Sequence, residues 1–161
     1  PVMPPESWIG FFEWCEATVL GSAVRNSIYA FPIIEAIHLV ALCVMGGALI
    51  MVDLRLLGVG MKDQQAGHLA TLVRPWMVGA LAVMLSSGVL LFLSEAIKCF
   101  YNTSFWVKMA TLPMALAFTF LVRDPRIMKG APSRMQRRLL GTASLALWFV
   151  VAAAGRWIGY S

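Results

Sequence analysis

Charge is what this sequence has least of. Asp, Glu, Lys and Arg make up 13% of its 161 residues, about half the ~25% of an average soluble domain, while 60% of the chain is hydrophobic. So apolar a composition excludes an ordinary soluble globule and points to an integral membrane protein. The length leaves room for roughly four spans of ~20–25 residues with short connections, and for no separate soluble domain. Histidine is nearly as scarce: His38 and His68 are the two in the chain. The cysteines, Cys15, Cys43 and Cys99, form no C-x-x-C pair. A glycine-rich phosphate loop, H-E-x-x-H and G-x-S-x-G are all missing, so a kinase or hydrolase reading has no support, and enzymatic activity stays open. No basic stretch followed by an apolar one opens the chain at Pro1, so no signal peptide is expected, and the true start is expected to be missing or processed. The net charge of +5 in such a chain marks membrane orientation, not nucleic-acid binding.

What is present divides into one interfacial segment and four spans, with no internal repeat. In residues 1–26, Trp8, Phe11, Phe12 and Trp14 alternate with Glu6, Glu13 and Glu16. That mixture is too polar to span and suits an amphipathic helix lying in the membrane interface. The spans are predicted at about 28–57, 75–100, 105–122 and 139–158. Pro32 marks or kinks the start of the first, Pro75 occupies the first turn of the second, and Pro113 kinks the third. A short amphipathic helix is expected around Gln64 to Val73. The sequence therefore predicts an all-α, integral-membrane four-helix bundle with an N-terminal interfacial amphipathic helix, forming a single membrane domain over 1–161.

Orientation follows from the basic residues. The connections after spans one and three lie on the same side and hold Arg55, Lys62, Arg74, Arg123, Arg126, Lys129, Arg134, Arg137 and Arg138, nine of the thirteen Lys and Arg. That side is expected to be cytoplasmic. Both termini then face the periplasm, and the chain belongs in a bacterial inner membrane. Its expected partners are membrane lipids and other membrane or periplasmic subunits.

The polar residues thereby acquire depths. Glu35 and His38 lie in the outer third of span one, Lys108 begins span three on the outside, and Arg156 with Trp157 ends span four there. Ionisable groups within a membrane span are costly and face protein, water or a ligand. Three readings of His38 stand open. It is a buried histidine bonded to Glu35 or to a neighbouring helix; a metal or haem ligand; or a quinone and proton site shared with Glu35. His68 lies beyond ~18 further residues of span one, near 27 Å at 1.5 Å per residue, so the two histidines do not clamp one haem, and His68 reads as a surface residue. Ser86, Ser87, Gly88, and Ala152 to Gly155 let helices approach closely or leave a slot for a flat ring. Arg156 and Lys108 are candidate partners for haem propionates or lipid headgroups. Asp53 and Arg55 read as an interfacial pair near the headgroups. Cys15 and Cys99 share the outer side, where a disulfide is conceivable.

"EAIHLVALCVMGGALIMVDLRLLG", "YNTSFWVKM" and "ALWFVVAAAGRWIGY" together resemble an uncharacterised family of small bacterial four-helix membrane proteins. More distantly they are similar to copper-resistance CopD-like and cytochrome-b-like membrane proteins. The likeness runs from about Ile28 to Tyr160 and falls on His38, the Asp53 and Arg55 pair, Lys108, and Arg156 with Trp157. The family pattern also carries a histidine near the inner end of span three, where this chain reads "FTFLVRDP" and has none. The resemblance and the outer cluster imply a small membrane subunit supporting electron transfer, with haem b or a quinone held around His38, Glu35, Arg156, Trp157 and Lys108, and with His38 as the metal ligand if iron is bound. The alternatives are a cofactor-free accessory subunit of a larger membrane complex and CopD-like copper handling. Copper(I) would want soft sulfur ligands on one helix face, and Cys43 and Met45, two apart, do not share one.

Overall fold

The computed structural model describes residues 5–61, 63–130 and 132–160. Residues 1–4 of the predicted interfacial segment, and Lys62 of the basic count, lie outside the described residues. All regular structure among the described residues is helical. A 3-10 turn, Glu6–Trp8, leads into α1 (Ile9–Glu16) and α2 (Val19–Asn26). The long helices follow: α3 (Ala30–Leu57), α4 (Ala66–Ser94), and, after the short α5 (Ala96–Tyr101), a third span over Thr103–Lys129. That span is built from α6 (Thr103–Ala117), a π-helical turn (Phe118–Arg123) and α7 (Asp124–Lys129). Helix α8 (Arg134–Ile158) closes the bundle.

These four long helices have the length and apolarity to cross a membrane, yet only 17% to 28% of each most apolar window is buried within the protein. Val40, Leu121 and Phe149 point outward with most of their surface uncovered. An exterior this apolar is stable in hydrocarbon, not in water, so the chain is a multi-pass membrane protein.

Local chemistry sets the helix ends. Gly58 takes the left-handed conformation (φ 84°) that stops α3. Its N–H bonds the Arg55 carbonyl, and the Val59 N–H bonds that of Leu54, which satisfies two carbonyls the helix end would leave open. Helix α8 begins at Arg134, not near residue 139, because Ser133 and Gln136 form a reciprocal capping box. The second span begins at Ala66 and carries Pro75 in its interior. The predicted separate helix before Pro75 is the first part of α4. A proline inside a helix costs ~3 kcal/mol, but Leu69 and Ala70 are buried against Val52, Leu56 and Ile127, and that packing holds the turns before the proline in line. The same span stops at Ser94, where Glu95 (φ −137°, ψ 39°) breaks the helix before α5. The third span continues past Val122, because Pro125 falls in the first turn of α7, where its missing N–H costs nothing.

Helix α3 lies between α4 and α8, and α8 also packs on α6. The third span changes neighbours along its length: α6 lies along α8, while α7 lies against α4. The π-helical turn sits between those two stretches. Helix α7 meets α4 backbone to backbone at Gly67, where a Cβ would come within 2.3 Å of the Ile127 carbonyl oxygen. At the opposite end, α1 packs on α5 and α2 on α4. Phe12 is the hub there, with Phe92, Phe100, Phe105 and Trp106 ringed around it at 5.1–6.3 Å between centroids. A Glu16 carboxylate oxygen accepts the Ile97 N–H at 2.8 Å, and the other pairs with Arg25 at 2.7 Å. Trp8, Phe11 and Trp14 of this segment stay exposed, as an interfacial helix requires.

Candidate functional site

Two polar centres interrupt the apolar bundle, both on the interior stripe of α3. His38, Ala41, Met45, Ala48, Leu49, Val52, Asp53 and Leu56 recur at three- and four-residue steps. Those from Ala41 onward are buried and His38 is half-buried. The fifteen residues from His38 to Asp53 correspond to about 22 Å of helix. One centre thus lies toward the end carrying the termini and the other toward the basic end.

At the first centre His38 Nδ1 lies 2.8 Å from Ser87 Oγ on α4. The Ser87 hydroxyl donates its one hydrogen toward the Val83 carbonyl at 2.6 Å, so it accepts from His38. The Nδ1 of His38 therefore carries the proton, and Nε2 keeps its lone pair. Gly88 makes room for the ring: a Cβ there would sit 3.4 Å from His38 Cε1. Lys108, from α6, lies across Gly155 of α8, where a Cβ would be 3.4 Å from Nζ. Its charge and that of Glu35 both act on the His38 ring. Four helices therefore contribute to this centre: His38 from α3, Ser87 and Gly88 from α4, Lys108 from α6 and Gly155 from α8. Beside it, on the outer surface between α3 and α4, is an apolar cleft of about 360 Å³ lined by Ile34, Ile37, Ala82, Val83, Ser86, Ser87 and Leu90. Ser87 belongs to both cleft and centre.

The other residues singled out in the sequence stand at varying distance from this centre. Glu35 is exposed one turn before His38. It forms no hydrogen bond to the imidazole, whose partner is the neighbouring helix. Arg156 donates to the Tyr160 hydroxyl and lies over its ring, 4.4 Å from the centroid. Trp157 is exposed beside it. This pair forms the rim of α8, not the wall around His38. His68 is exposed near the start of α4. Cys15 and Cys99 are free thiols on the packed helices α1 and α5. Burial, reinforced by the Glu95 carboxylate, pushes the Cys99 thiol up to about 11, which keeps it protonated and unreactive near neutrality. Among the described residues no three of His, Cys, Asp and Glu converge as a metal-ligand set.

The second centre was not legible as a unit. Asp53 does not pair with Arg55. Two residues apart on a helix they face different ways, and the Arg55 guanidinium reaches the Gln64 carbonyl. Asp53 turns inward instead, where its Oδ1 meets Arg123 Nη1 at 2.8 Å. Arg123 also holds Asp124 at 2.9 Å and Ser144 Oγ at 3.1 Å. Asp53, Arg123 and Ser144 are 0% exposed and Asp124 1%. Just beyond, the Trp148 indole N–H donates to Thr119 Oγ1 at 2.9 Å. Three spans are thus tied together by one guanidinium at the π-helical turn. The adjacent Arg-Asp in "LVRDPR" was the available signal, but it reads equally well as positively charged loop.

With this geometry in hand, the chain is placed by its sequence. It belongs to DUF6644, a family of unknown function whose pattern matches residues 11–161. No curated protein and no solved structure matches it.

Proposed function

We propose that this DUF6644 member is a small inner-membrane subunit that supports electron transfer by holding a quinone headgroup beside His38, toward its periplasmic end. The observation that carries the reading is the Ser87–His38 hydrogen bond at the side of an apolar cleft between α3 and α4. Ligand sites are commonly apolar clefts of ~300–1,000 Å³ with a few placed polar groups. A quinone is an apolar chain ending in a ring with two carbonyl acceptors, and it enters from the bilayer. Ile34, Ile37, Val83 and Leu90 suit the chain. The hydroxyl of Ser87 and the exposed hydroxyl of Ser86 suit a carbonyl, with His38 behind Ser87 able to take up or release a proton. Lys108 keeps a positive charge near the centre.

The donor set fits haem iron less well. His38 offers one free ring nitrogen. The other histidine is on the far side of the bundle, and the third span has Thr119 and Arg123 where the resembling family carries its histidine. Copper handling finds Cys43 exposed and Met45 buried, on different faces of α3.

The test is quinone content after purification in mild detergent. The wild-type protein retains quinone near one per chain, while Ser87→Ala and His38→Leu each lower occupancy about tenfold, the worth of one buried hydrogen bond of ~1.4 kcal/mol. A Soret band in the purified protein would transfer the site to haem. A preparation with neither quinone nor haem would leave the second reading, a cofactor-free accessory subunit. That reading draws on the exposed Trp8, Phe11 and Trp14 of the first turns, a surface for a neighbouring membrane or periplasmic subunit.

A further inference from the structure

The basic end of the bundle carries a cleft of about 90 Å³ walled by Arg55, Leu56, Leu57 and Gly58 from α3 and its cap, and by Arg134, Arg137 and Arg138 from the first turns of α8. Four guanidinium groups converge on it from two spans. Counter-charge is scarce at this end. Of the eight acidic residues, Glu6, Glu13, Glu16, Glu35 and Glu95 belong to the other end. Asp53 and Asp124 are committed to Arg123. Asp63 alone is left, exposed in the connection between α3 and α4. Arg55 is steadied by the Gln64 carbonyl. The side chains of Arg134, Arg137 and Arg138 enter no ion pair among the described residues.

Like charges held together repel, and they persist where an anion joins them. The chain's own turn leaves the cleft open: Gly58, in its left-handed conformation, has nothing within 4 Å of where a Cβ would project. The size admits a phosphate group and not a whole lipid. Directly beside the arginines the surface becomes apolar, with Leu54 and Leu139 uncovered, at the depth where acyl chains begin. Guanidinium is the side chain that matches phosphate oxygens with paired N–H donors. Basic clefts between spans at a membrane face bind anionic headgroups.

We propose that this arginine-walled cleft is a binding site for the phosphate headgroup of an anionic phospholipid, with the acyl chains lying along Leu57 and Leu139. The site is separate from the His38 centre and does not depend on what that centre holds.

The experiment is native mass spectrometry of the full chain released from bilayers of mixed phosphatidylglycerol and phosphatidylcholine. Three proteins are compared: the wild type, Arg134→Gln/Arg138→Gln, and Arg126→Gln/Lys129→Gln. The last removes the same charge from exposed positions on α7, outside the cleft. The wild type should retain phosphatidylglycerol over phosphatidylcholine by at least about tenfold. The cleft variant should lose that preference and the α7 variant keep it. Equal retention of the two lipids by the wild type would overturn the proposal without recourse to any variant. An equal loss in both variants would reduce the effect to the diffuse field of a basic surface. Inorganic phosphate is the remaining arm. If millimolar phosphate strips the lipid and stabilises the protein in detergent as much as phosphatidylglycerol does, the cleft is a site for free phosphate and the lipid assignment fails.

Discussion

Arg123 concentrates the energetics of the basic end in one residue. It is wholly buried and serves three acceptors, Asp53 Oδ1, Asp124 Oδ1 and Ser144 Oγ. Deleting one member of such a cluster strands the others in a medium that cannot solvate them, at ~3–5 kcal/mol. Arg123→Met should therefore lower the unfolding temperature in detergent sharply, since it leaves two carboxylates facing each other. Adding Asp53→Asn to that variant should recover part of the loss, a coupling that independent sites would not show. Arg123→Lys should rescue little, because an ammonium does not span the same three partners. Thermal melts of the four proteins decide this, and additive effects of the two substitutions would sink the account. The sequence made the cost of Asp53 visible, as an acid near the end of an apolar run. It did not reveal the partner, seventy positions away on another span. Helix period says which residues share a face, and nothing local says which faces meet. His38 was legible for the opposite reason. A lone histidine within a span demands a partner, and the small, polar "SSG" of α4 was a visible place to look for one.

Among the elements, the third span is where sequence and structure part most. Hydropathy ends it near Val122, because Arg123 and Asp124 read as loop. The helix in fact runs on to Lys129, since those two charges neutralise each other and Asp53 inside the bundle. The π-helical turn over Phe118–Arg123 separates the part lying on α8 from the part lying on α4. One extra residue per turn rotates the faces that follow, and such turns gather at functional positions in helices. The contact beyond the turn is unusually close, and Gly67 makes it so. Alanine ordinarily favours a helix over glycine by ~1 kcal/mol. Gly79→Ala, with nothing near its Cβ position, should leave stability unchanged or raise it. Gly67→Ala should lower it, because the new methyl would meet the Ile127 backbone at 2.3 Å, and overpacking of this kind costs ~1–3 kcal/mol. The opposite signs of these chemically identical changes, read as melting temperatures in the same detergent, test the α4–α7 contact. A rise at both positions would mean the two helices do not touch there.

At the scale of the whole molecule, the charges are sorted by end. The described chain starts and finishes at one end, with its glutamates, its aromatic rim and the His38 centre. The other end holds Arg55, Arg74, Arg126, Lys129, Arg134, Arg137 and Arg138. Arg123 and its two aspartates sit between, buried and electrically occupied, so they contribute little to the sorting. Basic residues in short connections stay on the cytoplasmic side, and four spans return the chain to the side it left. A fluorescent protein fused after Tyr160 should therefore be dark in a bacterium that exports it unfolded, while alkaline phosphatase at the same position should be active. The same reporters inserted in the connection between α3 and α4 should give the reverse pattern. This outcome bears on both proposed sites. It sets the arginine-walled cleft against the anionic cytoplasmic leaflet and turns the His38 centre toward a periplasmic electron partner. A bright fusion after Tyr160 would invert the molecule. The cleft would then face the periplasmic leaflet, and any electron partner at His38 would have to be cytoplasmic.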